Sequence, residues 1–218
     1  MRIVITLFAA LAISGAAAAQ DLSQLPGGLG QPSRLEGPIA AVEIHPVFTA
    51  YHSCTEHQAG ENPTLGDDIG RDCTVEGYPP RADERRISSP YRTNGLVNED
   101  YFGWTTQVLA PFDSVVEYVN EAETQNTPGV LGEGLPGLIV FLRADGMRVI
   151  YAHTREASVA AGDAVQAGQA VALVGNNGMS TGPHIHIAAW KEDAPYQIRF
   201  DLHALRDARA ARRAQASD

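Results

Sequence analysis

The feature that most constrains the fold of this chain is a glycine-rich turn followed directly by two histidines in a strand-like segment. The turn runs from Gly175 to Gly182, and the segment after it reads His184-Ile-His186-Ile-Ala-Ala-Trp190. Alternate residues of a strand project to the same face, so His184 and His186 are expected to lie side by side. Two imidazoles that converge beside a tight turn are suited to a divalent metal ion. The plain alternative is a solvent-facing pair on an edge strand, because an isolated H-x-H has little specificity.

Two further motifs precede this turn in a fixed order. They are Tyr151-Ala-His153 and the run from Gly162 to Gln169, which reads G-D-A-V-Q-A-G-Q. With the turn and the histidine pair, they resemble the C-terminal half of the lysostaphin/LytM-type zinc metallopeptidases, which are peptidoglycan endopeptidases, over residues 137–190. The resemblance implies a mostly antiparallel β-sheet domain of the LytM/lysostaphin-like, duplicated hybrid type, with surface insertions and a short C-terminal helix.

The same resemblance implies roles for three histidines. His186 is expected to bind Zn²⁺, whereas His184 and His153 are expected to orient water and to stabilise the oxyanion as catalytic residues. A catalytic zinc keeps three protein ligands and one position for water, and the attack on a peptide carbonyl needs proton acceptors nearby. The plain alternative for His153 is a strand-end residue that is held by hydrogen bonds.

The family takes its remaining ligands from an upstream His-x-x-x-Asp motif, and this part of the pattern is different here. Residues 106–110 resemble the segment that usually follows the motif, but no histidine lies between His57 and His153. We expect the carboxylate ligand to be Asp72, which ends the run Asp68-Ile-Gly-Arg-Asp72 next to Cys73. A less favoured placement uses Glu99 or Asp100 instead.

Three residues are candidates for the missing histidine ligand. Asp68 has the family's four-residue spacing from Asp72, whereas His57 and His52 lie across the expected disulfide. Imidazole suits zinc better than a second carboxylate, which favours His57 over Asp68. The plain alternative for the acidic residues is that they are solvated or cap a turn in a polar loop.

The N-terminal residues have the pattern of an export signal. Met1-Arg2 is followed by an apolar run from Ile3 to Ile13 and by small residues with a cleavage site after Ala19. The apolar run is too short for a resident transmembrane helix, although an uncleaved anchor is the alternative. The expected product is a secreted, periplasmic protein without stable membrane insertion.

The chain has two cysteines, Cys54 and Cys73. In an oxidising compartment such a pair most simply forms one disulfide, which in the chain-entropy model is worth about 3 kcal/mol for a loop of this length. Metal ligation by these cysteines fits poorly, because neither belongs to a C-x-x-C motif.

Strand signals dominate the rest of the chain. Residues 138–143 and 147–152 are two apolar runs around Asp145-Gly146, which predicts a hairpin. The expected organisation is a signal peptide at 1–19, a flexible lead-in at 20–40, a metallopeptidase-like β domain at 41–200 with an insertion at about 74–104, and a C-terminal helix and tail at 201–218.

The expected function follows from the resemblance. The formal net charge of −10 argues against nucleic acid and anionic membranes as partners. The resemblance implies an exported zinc metalloendopeptidase that hydrolyses peptide bonds in peptidoglycan stems or cross-links. Two alternatives stay open: a catalytically degenerate LytM-like domain that binds cell wall or regulates a wall amidase as a protein partner, and a carbohydrate-binding β module, which leaves the histidines unexplained.

Overall fold

The structure is a computed structural model that describes residues 25–79 and 87–215. The signal peptide expected at 1–19 lies outside the described residues, as do residues 20–24, 80–86 and 216–218. Within the described ranges the strands and the α-helix are β1 (Ala41–Ile44), β2 (His52–Glu56), β3 (Arg71–Val75), β4 (Gln107–Leu109), β5 (Ser114–Asn120), β6 (Leu138–Leu142), β7 (Arg148–Ala152), β8 (Thr154–Arg155), β9 (Ala164–Val165), β10 (Ala170–Val174), β11 (Ile185–Lys191), β12 (Ala194–Phe200) and α1 (Leu202–Gln215). Short 3₁₀ turns lie at Pro26–Gly28 and Asn98–Asp100.

Nine strands form the main sheet of the described chain, in the order β1-β12-β11-β7-β6-β5-β9, with β3 pairing with both β11 and β2. All of these pairs are antiparallel except β1 with β12. A smaller antiparallel sheet has the order β4-β10-β8. The predicted fold class, mostly antiparallel β with a short C-terminal helix, is confirmed.

The centre of the main sheet is the hairpin of β6 and β7, which the sequence predicts. Four of the five residues of each strand are buried, so the apolar side chains are withdrawn from water on both faces. The connection turns at Gly146, whose φ of 90° suits a residue without a Cβ atom. The amide of Arg143 donates to the carbonyl oxygen of Met147 at 2.9 Å and closes the turn.

The two faces of the main sheet bury two separate cores. Because strand residues alternate between faces, Ile139, Tyr151 and Ile187 belong to the larger core, which also includes residues of the smaller sheet. The opposite face carries the smaller core, formed by Leu29, Leu65, Leu138, Val140, Ile150, Ala152, Ala188 and Trp190. His186 has the same parity as Ala188 on β11, so its side chain emerges on the face of the smaller core.

The N-terminal segment differs from the flexible lead-in expected at 20–40. Trp190 donates its indole N–H to the carbonyl oxygen of Gly27 at 2.7 Å, and Leu29 is buried. The amide of Gly30 donates to Leu65, and the amide of Leu65 donates to Gln31, each at 2.8 Å. The expectation was wrong for this stretch, because its Gly/Pro composition reports local preference and its partners lie more than thirty residues away.

Helix α1 begins after Asp201, whose carboxylate accepts hydrogen bonds from the amides of His203 and Ala204. This is the usual way to satisfy free amides at a helix start. No helix among the described residues is long and apolar enough to cross a membrane.

Candidate metal centre

The two histidines of the H-x-H pair lie where β11 meets two neighbouring strands. His186 stands opposite Asp72 of β3 on one side and opposite Ala152 of β7 on the other. His184 precedes β11 directly and forms an isolated bridge with Gly175. Strand pairing therefore brings the pair beside Asp72 and next to His153, which follows β7.

The disulfide expected from the sequence is present and joins β2 to β3. Cys54 and Cys73 are directly opposite each other, with their Cα atoms 4.1 Å apart. Just beyond β2, the amide of His57 donates to the carbonyl oxygen of Gly70 at 2.8 Å. The bridge thus lies one residue from Asp72 and three residues from His57, and it braces the strand pair that carries both.

Three histidines surround the carboxylate of Asp72. Nδ1 of His186 lies 2.9 Å from Oδ1, Nε2 of His57 lies 3.4 Å from Oδ2, and Nε2 of His184 lies 3.7 Å from Oδ1. Burial alone would raise the pKa of Asp72. The hydrogen bond from His186 and the electrostatic interactions with His184, His186 and His57 outweigh burial and hold this pKa well below its usual range.

In both His186 and His57, the ring nitrogen that does not face Asp72 lies against another oxygen atom. Nε2 of His186 donates to the carbonyl oxygen of Gly66 at 2.9 Å, and Nδ1 of His57 lies 3.1 Å from Oδ1 of Asp67. Burial lowers the pKa of His186, but the hydrogen bond and charge of Asp72 raise it overall. Histidines that bind metals commonly use one nitrogen in this way, which leaves the other nitrogen directed at the ion.

Asp67 is the member of the cluster that the sequence did not predict. A possible metal-binding group includes Asp67 together with His57 and His186. Each residue offers one nitrogen or oxygen ligand atom, and these three atoms lie within 4.8 Å of one another. Its Oδ1 is 3.9 Å from Nε2 of His186, on the side of that ring that donates to Gly66. The only sequence signal was an acidic residue in a polar loop, and such residues are usually solvated.

A glycine permits the close packing behind this cluster. A Cβ atom at Gly70 would lie 2.9 Å from Cε1 of His186 and 2.8 Å from the carbonyl oxygen of Asp67. Any larger residue would therefore push the imidazole or the loop away. The absence of a side chain at this position is a local condition for the geometry around Asp72.

His153 lies between β7 and β8 with a φ of 64°, a left-handed conformation that is uncommon for a residue with a Cβ atom. Its Nδ1 donates to the carbonyl oxygen of Asn177 at 2.7 Å, and its ring centroid is 4.6 Å from that of His184. Burial, with repulsion from His184 and His186, lowers the pKa of His153 to about 3. The ring is therefore neutral near pH 7, with Nε2 as a hydrogen-bond acceptor.

The glycine-rich turn positions these two histidines. The side chain of Asn177 accepts a hydrogen bond from the amide of Gly137 and donates one to the carbonyl oxygen of Thr154. These bonds hold the turn against the residue that follows His153. Nδ1 of His184 donates to the carbonyl oxygen of Gly182 at 2.8 Å. Burial lowers the pKa of His184, although the charge of Asp72 opposes this effect. Nε2 of His184 is thus the nitrogen that faces Asp72.

The alternative ligands lie elsewhere or are already used. Asp68 accepts hydrogen bonds from Ser33 and from the amide of Gly60, so both of its oxygens are engaged away from the histidines. Nδ1 of His52 lies against the carbonyl oxygen of Ala50, and its ring packs edge-on against Phe48 and Phe200. The four-residue spacing therefore does not carry over to Asp68, because its loop turns that side chain towards the N-terminal segment.

Glu99 and Asp100 belong to the 3₁₀ turn at Asn98–Asp100 within the insertion. Asp100 accepts hydrogen bonds from Thr93 and from the amide of Gly95, and it organises that loop. Among the described contacts neither side chain reaches the histidine cluster. This placement of the carboxylate ligand finds no support in the structure.

The donor set fits a divalent metal. Imidazole nitrogens and carboxylate oxygens are the ligands that zinc takes in catalytic sites, and two rings here present one nitrogen each to a shared carboxylate. Their other nitrogens are already paired, as metal ligation requires.

Part of the chain is similar in sequence to known peptidases. Residues 101–198 match the model of peptidase family M23. A relative from Haemophilus influenzae, named an uncharacterized metalloprotease, is 33% identical over 142 residues, which are 60% of this chain and 26% of that protein. The chain therefore spans about a quarter of the length of this relative.

Two solved structures are similar at low identity. A mutant of the catalytic domain of the prophage-encoded M23 protein EnpA from Enterococcus faecalis is 21% identical with a TM-score of 0.36, covering 75% of this chain and 91% of that one. A zinc-containing peptidase from Vibrio cholerae is 22% identical with a TM-score of 0.33, covering 65% of this chain and 44% of that one. Over residues 101–198, this chain is thus similar to peptidase family M23.

Proposed function

We propose that this chain is an exported zinc metalloendopeptidase that hydrolyses peptide bonds in the stems or cross-links of bacterial peptidoglycan. The observation that carries the proposal is the arrangement around Asp72, where His57 and His186 each direct one ring nitrogen at the carboxylate. The similarity of residues 101–198 to peptidase family M23 supports the reaction class.

In this proposal three residues hold the zinc: His57 through Nε2, Asp72 through its carboxylate and His186 through Nδ1. Asp67 is assigned a different role, because it faces Nδ1 of His57 and Nε2 of His186, which are not the nitrogens directed at Asp72. It accepts the Nδ1–H of His57 and fixes the orientation of that ring, as acidic residues behind metal-bound histidines commonly do.

When bound, zinc would lower the pKa of water and polarise the substrate carbonyl. His184 and His153 lie on the same side of the cluster, and each commits Nδ1 to a backbone carbonyl. Each neutral ring therefore offers Nε2 as an acceptor for the proton of the attacking water. A ring that has taken this proton becomes a donor, and it can stabilise the oxyanion or pass the proton to the leaving amine.

Export to an oxidising compartment is supported by the disulfide. Cys54 and Cys73 are paired, and no free cysteine occurs among the described residues. Structural disulfides persist in the periplasm and outside the cell, whereas cytosolic thiols are usually kept reduced. We assign the mature protein to the periplasm on this ground and on the pattern of its first residues.

The degenerate alternative rests on the missing His-x-x-x-Asp motif. In the structure His57 stands beside Asp72, so the alternative lacks its main support. A wall-binding or amidase-regulating relative has no physical need for Nε2 of His57 and Nδ1 of His186 to be directed at one carboxylate.

The test is zinc content and wall digestion by the mature protein. Zinc is measured by elemental analysis, and purified sacculi are digested and examined by mass spectrometry for new amino and carboxyl ends. About one zinc per chain with new peptide ends is expected. His186→Ala should lose both, whereas the control His203→Ala, an exposed histidine on α1, should keep both. Bound zinc without any new peptide end would contradict the proposal.

A further inference from the structure

A groove extends from the histidine cluster along the floor of the main sheet. It encloses a cavity of about 530 Å³. Its lining combines side chains of β6, β7 and β11 with residues near Leu29 and Leu65 and residues near Leu135 and Met179. The groove thus has a polar end, at the proposed metal ligands, and a second end that the proposed chemistry does not use.

The second end of the groove is apolar. Five of the side chains that line the groove belong to the smaller core or pack against it, and they are Leu29, Leu65, Leu135, Leu138 and Ile150. Ala152 lies on the floor immediately before His153, so apolar surface begins directly beside the proposed reaction centre. An extended substrate that reaches His153 must therefore place a neighbouring side chain against this surface.

The rim of the groove exposes two large apolar side chains. Met179 is 73% exposed and Leu131 is 59% exposed, and both line the cavity. Exposed apolar groups beside a concave site mark a surface that a ligand covers. A substrate side chain in the groove would therefore have Leu131 and Met179 among its apolar neighbours.

No lysine or arginine is among the described residues that line the groove. Its acidic side chains are Asp67 and Asp72, both at the metal end. A carboxylate on a substrate side chain that lies against the apolar lining would lose water without gaining a basic side chain as its partner.

We propose that this groove selects an uncharged, apolar side chain next to the scissile bond and rejects an acidic one. The inference rests on the proposed metallopeptidase function and adds a substrate class to it. Leu131 and Met179 are assigned as specificity-determining residues. They contact the substrate side chain and do not take part in the reaction.

The test uses two small probes that bind through the metal and differ in one side chain. N-acetyl-leucine hydroxamate and N-acetyl-glutamate hydroxamate are titrated into the zinc-loaded mature protein, and their dissociation constants are measured by calorimetry. We expect the leucine probe to bind at least about tenfold more tightly, since one well-placed apolar side chain is worth about that factor. Equal affinities, or tighter binding of the glutamate probe, would overturn the inference.

Variants locate the selectivity on the rim. Met179→Lys supplies the missing cation and should reduce the preference for the leucine probe severalfold. Leu202→Lys is the matched control, because Leu202 is 71% exposed on α1 and does not line the groove. It should leave the preference unchanged, and a preference unchanged in Met179→Lys as well would remove Met179 from the assignment.

Failure of this inference is distinct from failure of the proposed function. Digestion of sacculi by a protein that binds both probes equally would overturn only the side-chain preference. A strong leucine preference without digestion would overturn the peptidase proposal and leave the groove assignment in place. A protein that takes up no zinc would contradict both.

Discussion

The two halves of the proposed metal centre are built in different ways. His184 and His186 come from one strand and its turn, inside the region that matches the M23 family model. His57 directly follows β2 and Asp72 lies in β3; both are outside that region, and a disulfide joins the two strands. The contrast shows that strand pairing can bring His57 and Asp72 together where the usual local motif is absent.

The largest effect is expected from a substitution in the half of the proposed metal centre that lies within residues 101–198. His186→Ala removes the proposed ligand that hydrogen-bonds to Asp72 and leaves that half-buried carboxylate without its closest partner. Substitution of a residue that hydrogen-bonds to a metal ligand lowers metal affinity by up to roughly 100-fold. Loss of a proposed ligand should lower zinc affinity by more than that, and digestion should be lost. Competition with a coloured chelator measures the affinity, and an unchanged affinity would contradict the assignment.

A second variant in the same half separates binding from catalysis. His153→Ala removes a neutral ring that contacts the cluster without reaching Asp72 as closely as the other three do. Zinc should be retained, whereas digestion should slow by about 100- to 10,000-fold, the usual contribution of a proton acceptor. Loss of zinc in this variant would show that His153 is a ligand.

The upstream half should depend on its disulfide. Replacement of both Cys54 and Cys73 by serine should lower the free energy of unfolding by about 3 kcal/mol, measured in denaturant. Zinc affinity should fall as well, because the bridge braces the strands that carry His57 and Asp72. A stability loss with unchanged zinc affinity would mean that the bridge serves the fold alone.

The smallest effect distinguishes two adjacent carboxylates. Asp67→Asn weakens the acceptor of His57 and should reduce zinc affinity by about tenfold, the low end of the range for such partners. Asp68→Asn affects bonds to Ser33 and Gly60 and should lower the thermal midpoint without changing zinc affinity. The reverse outcome would restore the four-residue spacing as the basis of the site.

The parts of the molecule that the sequence predicted are those with local causes. The turn at Asp145-Gly146 and the apolar runs around it are enough to specify the hairpin of β6 and β7. The disulfide needed only two cysteines and an oxidising compartment. Helix α1 follows from a run rich in alanine and arginine after Asp201.

The parts that the sequence did not predict depend on distant contacts. Asp67 joins the cluster because the 62–68 loop is folded against the N-terminal segment, a contact between residues more than thirty positions apart. The same contact orders a stretch around Leu29 whose composition suggested flexibility. His57 was favoured as a partner of Asp72 because imidazole suits zinc, whereas the contact between them depends on the register of β2 with β3, which no local pattern specifies.

A crystal structure of the zinc-loaded protein, with anomalous difference maps at the zinc edge, tests the central claim most directly. The account predicts one peak bound by Nε2 of His57, the carboxylate of Asp72 and Nδ1 of His186, with Asp67 bonded to Nδ1 of His57. A peak bound by Asp67 in place of Asp72, or no peak at this cluster, would contradict it.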